Sequence, residues 1–302
     1  MNPSQPAPAA SASARRSILV TGATGNVGRE VVRALRARGV PVRACDRDPA
    51  RARRALGDDV EVAPLDFARP ATFGPALVGV RALFLMRPPA VANVRDTLLP
   101  LVDAAAAGGV EHVVFLSVAG ADTNRWIPHH AVEAHLRAGR VAWTLLRPGF
   151  FAQNLGDAYR RDIVEDDRLY VPAGDGAAAF VDVRDVAEVA ALAFAAPDAH
   201  RGRAWTLTGP AAVTFAEAAA TLTATLARPI AYVPASALGY ARHLRRRAMP
   251  LAQIAVQTVL HVGLRFGQGA PVDPTLARLL ERPPRTLGDY VRDHADLWRR
   301  PP

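Results

Sequence analysis

Three glycines, Gly22, Gly25 and Gly28, stand in the octapeptide TGATGNVG, directly after the apolar run Ile18-Leu19-Val20 and directly before the helix-like stretch REVVRAL. Glycines at this spacing, between a strand and a helix, do recognisable chemistry. Gly22 suits a tight turn, Gly25 lets backbone approach a pyrophosphate, and Gly28 lets the helix pack close to the sheet. Thr24, Asn26 and Val27 fill the positions between them. The helix N-terminus adds unpaired N–H groups and the positive end of its dipole. The stretch reads as a dinucleotide site formed by Gly22, Thr24, Gly25, Asn26, Val27 and Gly28.

Further candidates follow along the chain. Some 20 residues past a glycine turn, a carboxylate selects the ribose hydroxyls of NAD, whereas an arginine accommodates the 2′-phosphate of NADP. This sequence offers both, Asp46 and Arg47, with Arg51, Arg53 and Arg54 behind them. A guanidinium binds phosphate bidentately and a carboxylate facing it repels it, so the reading favours NADP and leaves NAD open. Asp66 and Phe67 follow the third strand, where a carboxylate can accept from the adenine amino group; a loop or cap aspartate is the alternative. Met86, Arg87 and Pro88 end the fourth strand, placing Met86 and Arg87 toward ribose and pyrophosphate. Ser117 ends the fifth, at the edge where such sheets do their chemistry. Pro148 and Phe150 leave the sixth, with Phe150 as an apolar wall for the nicotinamide. Trp126, Tyr159, Tyr240 and residues 248–264 are further candidates for lining a substrate cleft. The chain holds no lysine, so all 37 of its basic residues are arginine, and a Tyr-x-x-x-Lys pair cannot form.

These residues need a scaffold of alternating strands and helices. Short apolar runs predict strands over 17–20, 42–45, 60–63, 82–86, 113–117 and 142–146, with helical patterns over 27–38, 50–56, 72–78, 94–107 and 130–138. Such alternation means βαβ units, a parallel sheet covered on both faces and a doubly wound α/β (Rossmann) fold. After Pro148 the rhythm changes. A helix over 181–196, a strand over 204–208 and a last helix from the Thr286 cap to Trp298 belong to a smaller substrate lobe. The domain reading is a disordered tail over 1–16, a dinucleotide-binding domain over 17–150 and a lobe over 151–302, partly interleaved with it.

Bulk properties bound the rest. Half of the 302 residues are hydrophobic, enough for a large core. One cysteine, Cys45, permits no internal disulfide and suits a reducing compartment, here read as the cytoplasm. Residues 1–16 lack the apolar centre of a signal peptide, no apolar run is long enough to span a bilayer, and no membrane is expected as a partner. The charge of +9 invites a nucleic-acid reading. The arginines, however, are scattered with few aromatics between them, and nucleic acid is set aside as a partner.

The stretches HAVEAHLRAG and WTLLRPGFF, with TGATGNVG, ACDRDP, DVRDVAEVA and PRTLGDYVRDHADLW, resemble the NmrA-like group of atypical short-chain dehydrogenase/reductases over about residues 17–298. The resemblance implies a Rossmann domain, NAD(P), and a small carboxyl-terminal lobe over a substrate cleft. It also implies one of two activities: NADPH-dependent reduction of quinones or azo dyes, or sensing of the dinucleotide without turnover. By position, His129 matches a histidine of the H-x-A-V-E segment and His130 a polar site beside it. Either can donate a proton near neutrality to oxygen that gains charge as hydride arrives, with Ser117 helping to hold that oxygen and Glu133 orienting His129. A helix-capping role is their plainer alternative. HxxExH is not a metalloprotease spacing, and no metal is expected. The leading expectation is hydride transfer from NADPH to a quinone, azo compound or enone, with a non-catalytic NAD(P) sensor as the alternative.

Overall fold

A computed structural model of the chain describes residues 17–89 and 91–300; the tail expected over residues 1–16 lies outside the described residues. Eleven strands are formed there: β1 Ser17–Val20, β2 Val42–Asp46, β3 Glu61–Pro64, β4 Val80–Met86, β5 His112–Leu116, β6 Ala142–Pro148, β7 Arg168–Val171, β8 Ala177–Ala178, β9 Arg203–Leu207, β10 Val213–Thr214 and β11 Ala231–Pro234. Seven make one sheet in the order β3-β2-β1-β4-β5-β6-β9, every pairing parallel. The order reverses between β1 and β4, and in open α/β sheets this switch point opens the ligand crevice. Thr21 closes it from beneath: its hydroxyl donates to the Phe84 carbonyl (3.1 Å) and accepts from the Met86 N–H (2.9 Å).

Strand alternation sorts the core onto two faces. Ile18, Val20, Phe84, Val114 and Leu146 pack under the Asn26–Ala37 and Val183–Ala195 helices. Leu19, Leu83, Leu85, Val113 and Phe115 pack under the Leu98–Ala107 and Pro128–Ala138 helices. Successive strand residues thus serve opposite layers, as a sheet covered on both sides requires.

The second half of the chain contributes to both bodies. The strand read at 204–208 is β9, and it joins the main sheet beside β6 rather than building the smaller lobe. The Val183–Ala195 helix likewise lies on the main sheet, N-capped by Asp182, whose side chain accepts from the Arg184 N–H. The lobe has its own core, in which Leu155, Ile163, Phe180, Phe215, Tyr240 and Trp298 meet. The last helix is shorter than expected. A capping box of Thr286 and Asp289 starts it, it ends at Asp293, and a 3-10 turn, Ala295–Trp298, follows.

Candidate functional site

The glycine turn is built for close backbone approach. Gly22 adopts φ +61°, a left-handed conformation that costs glycine least, and its carbonyl accepts from the Gly25 N–H (2.9 Å). A Cβ on Gly28 would lie 2.6 Å from the Gly22 carbonyl carbon and 2.9 Å from Ala23 Cα, and nearer still to the Gly22 oxygen. Gly25 is the N-cap of the Asn26–Ala37 helix, and no side chain caps that first turn. Uncapped N–H groups beside bare glycine backbone form a cradle that fits a phosphate. Above Gly22 lies the Met86 thioether, which a Cβ there would strike. Asn26 reaches the smaller lobe, its side-chain amide donating to Asp157 (3.4 Å) across the mouth of the turn.

Asp46 ends β2 with its side chain turned inward, where Thr24 Oγ1 (2.8 Å), the Asp48 N–H (2.9 Å) and Arg51 (2.7 and 2.8 Å to its two oxygens) all donate to it. Burial works to raise its pKa, but these donors outweigh burial and hold the carboxyl below its usual range. Arg51 is thereby committed to Asp46, and Asp46 to the glycine loop. Arg47 is exposed and pairs with no acidic group among the described residues. Arg47 is thus an open cation directly after Asp46, and Arg53 and Arg54 in the Pro49–Leu56 helix are likewise exposed and unpaired among the described residues.

The remaining candidates lie as follows, beginning with Arg87. Its guanidinium folds onto its own loop, donating to the carbonyls of Pro88 (3.3 Å), Pro89 (3.4 Å) and Val91 (2.6 Å), and its Nε lies 3.4 Å from His129 Nε2. The Asp66 carboxylate accepts from the Ala68 N–H (3.0 Å), a local turn, while Phe67 leans on the core beneath the sheet. Pro148, the last residue of β6, accepts from the Ala119 N–H (3.0 Å). Phe150 packs edge-on against Phe180, Phe215 and His261, with ring centroids 5.3–6.1 Å apart. Tyr159 and Tyr240 are buried in the lobe, and Trp126 is 94 % exposed.

Ser117, expected to hold substrate oxygen, is buried and donates to Glu133 Oε1 (2.6 Å). Glu133 does not orient His129. Its two oxygens accept instead from Arg147 (2.9 and 2.6 Å) and Arg137 (3.0 Å), and Arg147 reaches on to Asp122 (2.9 Å). Burial works to raise the Glu133 pKa, but Arg147, Ser117 and Arg137 overcome it and keep the carboxyl ionised. This Ser117–Glu133–Arg147–Asp122 network ties the Pro128–Ala138 helix and β6 to the loop that follows β5. Sequence reasoning named Ser117 and Glu133 but not this link. The partners lie 14 and 16 residues apart on separate elements, and no periodic pattern marks them.

The two histidines differ. His129 is buried against Phe115, and burial first, then the Arg87 charge, depresses its pKa to about 4. It is therefore neutral near pH 7 and does not serve there as an imidazolium donor. With Arg87 Nε–H directed at Nε2, its proton is assigned to Nδ1, which is buried with no hydrogen-bond partner among the described residues. His130 is half-buried; its Nδ1–H donates to the Ala121 carbonyl (2.7 Å), leaving Nε2 free. Among the described residues no group of three or more His, Cys, Asp or Glu can hold a metal ion.

The NmrA-like family model matches residues 14–266. Among curated relatives, the chain is 35 % identical over 291 residues to a (4-alkanoyl-5-oxo-2,5-dihydrofuran-3-yl)methyl phosphate reductase of Streptomyces griseus, covering 93 % of this chain and 99 % of that one. It is 34 % identical over 284 residues to an NAD(P)H azoreductase of Xenophilus azovorans, covering 92 % and 98 %. Its fold superposes with a TM-score of 0.80 on an NADPH complex of a quinone oxidoreductase from Escherichia coli, 28 % identical, covering 91 % and 99 %.

Proposed function

The chain belongs to the NmrA-like family, and from that premise we propose that it is an NADPH-dependent oxidoreductase reducing small electrophilic acceptors such as quinones, azo compounds or enones. The observation that carries the reading is the uncapped glycine turn with Arg47 open beside it. The backbone N–H groups from Gly25 to Gly28 hold the pyrophosphate, Thr24 and Asp46 fix the loop, and Arg47 takes the 2′-phosphate. Met86, Pro148 and Phe150 bound the nicotinamide end. Reduced coenzyme, when bound, supplies the hydride. The protein orients the acceptor and excludes water from it, which accounts for rate without a Tyr–Lys pair.

Oxygen or nitrogen that gains electrons needs a hydrogen-bond donor. His129 offers a neutral N–H at Nδ1, in the way a buried imidazole polarises a carbonyl, and His130 is the group that can carry a proton in from solvent. Ser117 acts through Glu133, holding the Pro128–Ala138 helix that carries both histidines. Changing His130 to Ala should lower kcat about 10- to 100-fold with little change in coenzyme Kd. His129→Ala should lower it comparably, and loss at both positions should not fall below the oriented background. Undiminished turnover by the double variant would remove both from the mechanism.

Arg47→Ala should weaken NADPH binding about tenfold while leaving NADH unchanged, since one charge-assisted contact to the 2′-phosphate is lost. Equal weakening of both coenzymes would refute that role. The decisive experiment follows anaerobic nicotinamide absorbance with NADPH, then NADH, against a panel of quinones, azo dyes and enones. Acceptor-dependent oxidation that is faster with NADPH supports the proposal. Tight coenzyme binding with no oxidation across the panel would overturn the reductase reading in favour of sensing.

A further inference from the structure

Residues 218–272 contain six arginines and no aspartate or glutamate. Within them the Ala237–Arg246 and Leu251–Arg265 helices pack together as a hairpin on the smaller lobe. Their inner faces bury Tyr240, Leu244, Ile254 and Leu264 in the lobe core. The second helix carries Leu251, Val256, Val259 and Leu260, each 59–70 % exposed, and Phe266 follows at 76 %. Val256, Val259 and Leu260 fall on one side of this helix, about 22 Å long, while Leu251 stands at its first turn, half a turn round from Leu260. A single exposed leucine is ordinary, but a row of apolar side chains on one exposed helix face marks an interaction surface.

Charge decides what the surface meets. Arg242, Arg245 and Arg246, on the adjoining helix, are exposed and pair with no acidic side chain among the described residues. Arg247 is the contrast, held by Asp162, Glu165 and Asp166. An apolar helix face, three open cations on the helix packed beside it, and 55 residues free of carboxylates together complement an anionic bilayer surface. We propose that this hairpin docks the protein on such a surface, the apolar row at the acyl boundary and the three guanidinium groups on lipid phosphates. No helix of the described residues is long and apolar enough to cross a membrane, so the association is peripheral. A second copy of the chain fits less well, because it would set the same cations against one another with no carboxylate from this segment between them.

The test is co-sedimentation of the full-length protein with vesicles of phosphatidylcholine alone and of phosphatidylcholine with phosphatidylglycerol in equal parts. Binding is expected to the mixed vesicles only and to weaken as salt rises. The Arg242→Gln/Arg245→Gln/Arg246→Gln variant should bind about a hundredfold more weakly. Val256→Ser/Val259→Ser/Leu260→Ser should lose binding while all three arginines remain. An equal-charge control, Arg95→Gln/Arg140→Gln/Arg203→Gln, should bind like the parent. The proposal falls if no vesicle binds, if the control loses as much as the hairpin variant, or if the serine variant binds unchanged. It also falls if sedimentation velocity finds a dimer that the serine variant dissociates, since the face then belongs to a second copy.

Discussion

Replacing Gly28 by Ala should weaken dinucleotide binding by about a hundredfold or more and lower folding stability. The added Cβ would sit 2.6 Å from one backbone carbon and 2.9 Å from another, both belonging to the glycine turn. Backbone, unlike the far end of a flexible side chain, cannot swing aside. Either the Asn26–Ala37 helix must move off β1 or the turn must open. Overpacking of this kind costs about 1–3 kcal/mol, and the displaced N–H groups lose their aim at the same time. Fluorescence titration with NADPH and a thermal melt report the two effects separately. Unchanged binding in a folded Gly28→Ala protein would show that the turn does not hold the phosphates.

The second large effect is expected at Glu133. Glu133→Ala leaves the buried Arg147 guanidinium with only the half-exposed Asp122 as partner. Breaking a buried pair from one side typically costs about 3–5 kcal/mol. Glu133→Gln should cost less, because the amide oxygen still accepts from one arginine nitrogen. The pH dependence has a definite sign. The folded-state pKa of Glu133 is lowered, so its stabilisation is complete above the unfolded value of about 4.3 and is lost as pH falls through the folded one. The gap in urea midpoint between parent and Glu133→Gln should be widest at pH 7, begin to narrow as pH falls below about 4.3, and close only below the lowered folded-state value. A gap that is the same at every pH would mean that the carboxylate charge contributes nothing.

Much of this architecture is legible in the residues, for local reasons. Ser17–Val20 is bounded by Arg16 and a glycine turn, and both its strand and the helix after it follow from the pattern. The place of β9 is not local. An apolar run such as Ala204–Leu207 carries no local mark of which body it joins, and its parallel pairing with β6 is visible only in the fold. The cradle is legible because glycine spacing directly encodes backbone geometry. The Asp46–Arg51 and Glu133–Arg147 pairs are not, since long side chains choose partners only after the elements are placed. His129 shows this most clearly: the sequence identifies a titratable ring, while its burial on Phe115 removes its titration from the neutral range.

The late entry of β9 into the sheet bears on how the chain is made. While a ribosome has delivered β1 to β6, the outer edge of β6 has no neighbour, and residues 149–202 must be synthesised before Arg203–Leu207 can cover it. The smaller lobe waits longer still, for Trp298, whose indole N–H donates to the Leu155 carbonyl from 143 residues further along (2.9 Å). A nascent sheet with an open edge and a half-built neighbour is the species most prone to pair with other chains. Recovery of soluble protein should therefore depend on the pace of synthesis and on chaperone supply more than the stability of the finished fold suggests.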